Sequence, residues 1–224
     1  MKRLTPAGLV SLCFLFVCAT AKSQMGRMQA PSLQGIFNPV VGSGAQYEMD
    51  RTDGTKMNFV MAIVGKESSG GKDGFWFETV TDAPQGQGEM VMKALIVPDG
   101  SSSQVTKMIF QMPGRGPMEM DGMMGGRMGQ STQPKDIRDE ANDLGSESVT
   151  VPAGTFTCEH YKTKDGSSDV WVAKGVPPYG LVKMQGKDQT MVLVKALTNF
   201  QDKITGTPMD MGQMMRGMGA PPQQ

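Results

Sequence analysis

From Ala45 to Phe200 the dominant pattern is period two, apolar and polar residues alternating, as they do when successive side chains point to opposite faces of a strand. In Lys56-Met57-Asn58-Phe59-Val60-Met61-Ala62-Ile63-Val64 the alternation puts Met57, Phe59, Met61 and Ile63 on one face. Phe75-Trp76-Phe77-Glu78-Thr79-Val80 carries the aromatic and β-branched residues that suit a pleated surface and places Phe75 and Phe77 together. Further strands are predicted at 90–97, 105–112, 148–151, 155–162, 170–173, 181–184 and 190–199. Asp-Gly pairs at Asp53-Gly54, Asp73-Gly74, Asp99-Gly100 and Asp165-Gly166 fall between apolar runs. Both residue types accept positive φ, so these pairs predict the hairpin turns of an antiparallel meander. Helical patterning is confined to 136–144, where early acidic residues and a closing Gly145 predict two turns.

The pattern predicts a mainly β domain over residues 45–205, an antiparallel sheet with few short helices. Residues 22–44 have little periodicity and read as a linker or covering segment. Residues 113–134 and 206–224 are dense in Gly, Met and Pro and poor in branched residues, which predicts an inserted loop and a disordered C-terminal tail.

The N-terminus adds a compartment. Lys2 and Arg3 precede an apolar run from Leu9 to Val17 that is too short to span a bilayer, and Ala19-Thr20-Ala21 supplies a small-x-small cleavage pattern. Residues 1–21 therefore read as a signal peptide, and an exported protein, periplasmic or extracellular and not membrane-spanning after cleavage, is expected. Cleavage leaves Cys158 as the one cysteine, so no internal disulfide can form and the core must stabilise the domain. Balanced charge, 22 basic against 22 acidic residues, argues against nucleic acid as a partner. The absence of heptads predicts a monomer.

Methionine changes the picture again. Of 22 in the chain, Met118, Met120, Met123, Met124 and Met128 crowd the loop, and Met209, Met211, Met214, Met215 and Met218 crowd the tail. Thioether sulfur is a soft ligand that selects Cu(I) over hard cations, and Gly between the methionines lets the backbone wrap one ion. Copper is thus the one cofactor the composition suggests, as an alternative to none. Two readings compete with it: an apolar lid or contact surface of adaptable side chains, and unordered low-complexity segments whose Met serve at most as sacrificial oxidation sites. Cys158-Glu-His160 places a thiol and an imidazole two residues apart on a strand, without an orienting third group or the four ligands of a zinc site. No enzyme is expected.

The stretch Glu147-Ser-Val149-Thr-Val151-Pro152-Ala153-Gly154-Thr155-Phe156-Thr-Cys158-Glu-His160-Tyr161, with Asp169-Val-Trp171-Val172 and Val176-Pro177-Pro178-Tyr179-Gly180-Leu181-Val182-Lys183, resembles exported bacterial domains of unknown function related to the lipoprotein-localisation (LolA/LolB/LppX-like) half-barrel families. The resemblance implies a curved sheet around an apolar cavity and a non-enzymatic protein holding an acyl chain or envelope lipid. Strand alternation groups Met57, Phe59, Met61, Ile63, Phe75 and Phe77, which are the expected cavity or core residues.

Overall fold

The computed structural model of the chain describes residues 34–83, 86–99, 102–120 and 135–210. Fourteen strands account for most of them: β1 (Gln34–Gly35), β2 (Ser43–Arg51), β3 (Lys56–Ser69), β4 (Lys72–Asp82), β5 (Glu89–Asp99), β6 (Ser102–Gln111), β7 (Met118–Met120), β8 (Lys135–Asp136), β9 (Ala141–Val151), β10 (Gly154–Thr163), β11 (Ser168–Val172), β12 (Leu181–Gly186), β13 (Gln189–Leu197) and β14 (Met209–Asp210). One helical turn, α1 (Ile137–Glu140), interrupts them.

Twelve strands form one open sheet in the order β14-β7-β6-β5-β4-β3-β2-β13-β12-β11-β10-β9. It is two antiparallel meanders, β2 to β7 and β9 to β13, joined where β13 pairs with β2. Five ladders carry a register shift, among them β3–β4 after Ile63 and β10–β9 after His160. An extra residue on one strand bends the sheet and raises its twist, which is how a sheet this wide curves. A separate parallel pair, β1 with β8, lies outside it.

Register explains the core. Tyr47 is opposite Phe59, Ala45 opposite Met61, Ile63 opposite Phe77 and Leu193 opposite Tyr47, so one face of β13, β2, β3 and β4 becomes a continuous apolar patch. All of these residues are buried. We call this the inner face. Its middle is filled by the chain itself: Tyr179 packs against Phe77 at 5.4 Å and against Phe37 at 5.3 Å between ring centroids, and Phe37 meets Phe75 edge-on at 6.2 Å.

The outer face of the first meander is crossed by residues 199–210. Phe200 N–H donates to Gly42 O (2.8 Å), Lys203 N–H to both carboxyl oxygens of Glu78 (3.1 and 3.2 Å), Thr205 N–H to Gln111 Oε1 (3.3 Å) and Met209 N–H to Pro117 O (2.9 Å). The segment straps the sheet from β2 to β7 and then joins its edge as β14, parallel to β7.

Several elements depart from the sequence reading. The predicted turn at Asp73-Gly74 lies inside β4, and the hairpin instead turns at Gly70-Gly71, both at positive φ (60° and 78°). Two consecutive left-handed residues make the tighter turn, and Gly takes that conformation without steric cost. The two-turn helix reduces to α1, capped by the Asp136 carboxylate accepting from Arg138 N–H at 3.0 Å. Residues from Ala141 onward pair with β10 instead, because a short isolated helix gains less than a full ladder. Short strands also form at Met118–Met120 and Met209–Asp210, within segments read as loop and tail. Edge pairing, not propensity, creates them.

Candidate functional site

A cavity of about 500 Å³ opens beside the filled core. Its walls come from three places: residues 36–38 after β1, the middle of β9 and β10 with the end of β11, and the loop from Ala173 to Gly180. The loop is held by Ala173 N–H to Gly180 O (2.7 Å) and Gly180 N–H to Val176 O (2.6 Å). Residues 36–38 are held to the loop by Ile36 N–H to Tyr179 O (2.8 Å) and Asn38 N–H to Pro178 O (2.7 Å). That contact requires Gly35, since a Cβ there would lie 2.4 Å from Tyr179 O. Ile36, Phe37, Val172, Ala173 and Val176 give the cavity an apolar lining, and Lys174 and Glu159 bring one charge of each sign. Glu159 accepts from the Tyr161 hydroxyl at 2.9 Å, while Lys174 is exposed.

Of the residues expected for cavity or core, most belong to the core and none to these walls. Phe59, Met61, Ile63 and Phe77 are packed into the core, Phe75 is half-buried against Phe37, and Met57 is exposed; none lines the cavity. Sequence reasoning missed residues 36–38 and 173–180 because neither has periodicity. The one available signal was the Val176-Pro-Pro-Tyr-Gly180 interruption between two strands, which marks a structured break in pairing.

Cys158 borders the cavity and is buried; burial, with Glu147 nearby, pushes its thiol up to about 11, so it stays protonated at neutral pH. Its Sγ contacts Phe156 O at 3.8 Å. His160 turns to other partners: Nε2 is 3.0 Å from Asp169 Oδ1 and Nδ1 is 3.0 Å from Glu147 Oε1. The imidazole stacks on Trp171 (4.4 Å, 16°), whose indole N–H also donates to Glu147, and Lys183 Nζ lies 4.6 Å from the Trp171 ring. An imidazole flanked by two carboxylates and an indole is a cross-strand brace. The thiol and imidazole of the sequence motif do not form a nucleophile–base pair.

Met118 and Met120 fall on β7 and Met209 on β14. The parallel ladder sets Met209 beside Met118, so the structure joins two clusters that the sequence separates by about ninety residues. Met123, Met124, Met128, Met211, Met214, Met215 and Met218 lie outside the described residues, as does the signal segment. Among the described residues no helix is long and apolar enough to cross a membrane, and no three His, Cys, Asp or Glu converge on a metal position.

No family model matches the chain, and neither does any curated protein. Among the solved structures that resemble it are two of low similarity. One, from Bacteroides fragilis NCTC 9343, is provisionally named an exported protein with a YmcC-like fold; it is 12% identical, the match covers 72% of this chain and 99% of the other, and the TM-score is 0.36. The second, from Parabacteroides distasonis ATCC 8503, is provisionally named a lipoprotein; it is 13% identical over 73% of this chain and 99% of its own, with a TM-score of 0.36. Neither is named for the lipoprotein-localisation half-barrels, and likeness at this level assigns no function.

Proposed function

We propose that this chain is an exported, non-enzymatic binding protein that takes the apolar part of a small amphiphile, such as an acyl chain, into the cavity between residues 36–38 and the Ala173–Gly180 loop. The cavity itself carries the reading: about 500 Å³, apolar walls and a few polar groups at its margin are the dimensions and chemistry of small-molecule sites. The amino group of Lys174, exposed at that margin, suits a carboxylate or phosphate headgroup. Export rests on the basic, apolar and small-residue order of the first 21 residues.

The test is titration of the protein with a fluorescent long-chain fatty acid. Gly175 lines the cavity, and a Cβ there would meet nothing within 4 Å, so Gly175→Leu adds bulk without a backbone clash. Saturable binding is expected for the native chain, weakened about tenfold or more by Gly175→Leu, in line with the roughly 1–3 kcal/mol that overfilling a packed site costs. No saturable binding, or equal binding by both proteins, rejects the cavity as the ligand site.

A further inference from the structure

The inner face changes character toward the β14 edge. Register carries one row of side chains across four strands: Met92 on β5 is opposite Phe110 on β6, Phe110 opposite Met118 on β7, and Met118 beside Met209 on β14. The neighbouring row sets Met120 opposite Met108, which is opposite Ala94. Paired residues project to the same face, and residues two apart on a strand do too. Met108, Met118, Met120 and Met209 therefore occupy one face of three adjacent strands.

Their spacing suits a single ion. Neighbouring strands run about 4.8 Å apart, and cross-strand Cβ atoms sit roughly 4.5–5.5 Å from each other. Met has three rotatable side-chain bonds, so four thioethers anchored at that spacing can bring their sulfurs to one point. The carboxylates point away: Glu119 alternates with Met118 and Met120 onto the outer face, where it faces Asp210 and Ile109 and acts on the Lys107 ammonium. The donor set is accordingly all thioether. Such a set has no appeal to Mg²⁺, Ca²⁺ or Zn²⁺ and favours a soft monovalent ion, and it needs no deprotonation to bind. Access is graded, from Met209 at 52% exposed through half-buried Met118 and Met120 to Met108 at 2%. An ion can enter from solvent and finish in a dry site.

We propose that Met108, Met118, Met120 and Met209 form one soft-metal site for Cu(I), assembled when β14 docks on β7 and thus drawing ligands from both ends of the domain. This site is separate from the cavity, so its fate does not bear on ligand binding there. Phe110, opposite Met118, supplies an aromatic neighbour that favours a bound cation.

The probe is Ag(I), a redox-silent stand-in for Cu(I), added to the full chain carrying ¹³C-methyl methionine and followed by NMR. At one equivalent the methyls of Met108, Met118, Met120 and Met209 are expected to shift together, while Met49, Met61, Met184 and Met191, buried in the main core, stay in place. Shifts confined to other methionines, or none, overturn the proposal. Anaerobic Cu(I) competition titration supplies the second measurement. Met118→Leu combined with Met209→Leu, which keeps the apolar volume, should weaken Cu(I) binding by at least the roughly tenfold that loss of a mere outer-shell partner costs. Replacing Met211, Met214, Met215 and Met218 by Leu should leave it unchanged. The reverse result, loss in the tail variant with the double variant unaffected, places binding in the tail and overturns the composite site.

Discussion

Tyr179 is the side chain on which the middle of the inner face depends. Its ring locks Phe37 and Phe77 in place and its backbone carbonyl anchors residue 36, yet its hydroxyl is buried with no hydrogen-bond partner among the described residues. Burial pushes that phenol well above its ordinary range, so it does not ionise. An unpaired buried hydroxyl costs about 1–3 kcal/mol, whereas the ring's packing does not depend on it. Tyr179→Phe is thus expected to raise the unfolding free energy by about 1 kcal/mol, read by chemical denaturation; a loss of stability would mean that the hydroxyl has a partner. Tyr47 makes the contrasting case. Its equally buried hydroxyl donates to Leu181 O at 3.0 Å and ties β2 to β12 across the intervening β13.

Among the elements, the strap at 199–210 rests on a carboxyl whose titration makes its hold depend on pH. Glu78 lies fully buried beneath it, opposite Ala62 on β3 and Lys93 on β5, with Asp202 and the Lys203 amide above. Burial, and then the neighbouring Asp202 carboxylate, push the Glu78 carboxyl up from 4.5 to about 8; the Lys203 amide and Lys93 pull the other way. Asp202 itself is held below the usual carboxylate range: burial opposes this, but the Lys93 ammonium and the Glu78 carboxyl outweigh it. The folded state therefore binds a proton at Glu78 that the unfolded chain has released between these values. Stability contributed by this group is fully present below about pH 4.5, falls as pH rises toward 8, and is constant above. The native chain should lose thermal stability between pH 5 and 9, and Glu78→Gln, which keeps a neutral hydrogen-bonding group, should flatten that slope. An identical slope in both proteins would exclude Glu78 as its source.

At the scale of the whole molecule, an open twelve-stranded sheet has a stable middle and two exposed edges. β2, β3 and β13 are paired on both sides and share the core, while among the described residues β9 at one edge and β14 at the other are paired on one side only. Native-state hydrogen exchange should rank them accordingly. Amides of β2, β3 and β13 should open only by global unfolding, about 5–15 kcal/mol for a domain of ordinary stability, and those of β14 and the outward side of β9 at far lower cost. Uniform protection from edge to edge would contradict a fold held mainly by its central patch. The edge β9 also carries its own protection against unwanted pairing in the exposed acidic residues Asp143 and Glu147.

Sequence alone determined the fold class, because alternation is a local property. Across β3 to β6 and β10 to β13 the apolar side of the period was visible, whereas the first half of β9 read as helix, and Asp53-Gly54 and Asp165-Gly166 marked two of the hairpins. Residue contacts that depend on distance along the chain were not visible. Nothing near Phe37 announces that it will meet Tyr179, nothing near Lys203 announces Glu78, and the methionines at 118 and 209 gave no sign of adjacency. Those pairings are decided when two meanders share one sheet and the chain's last segment crosses it, since loop closure over such separations is stabilised only by the finished core. The sequence thus named the materials, an apolar β-face and soft thioethers, and the tertiary structure decided where a cavity remains beside that face and which sulfurs share it.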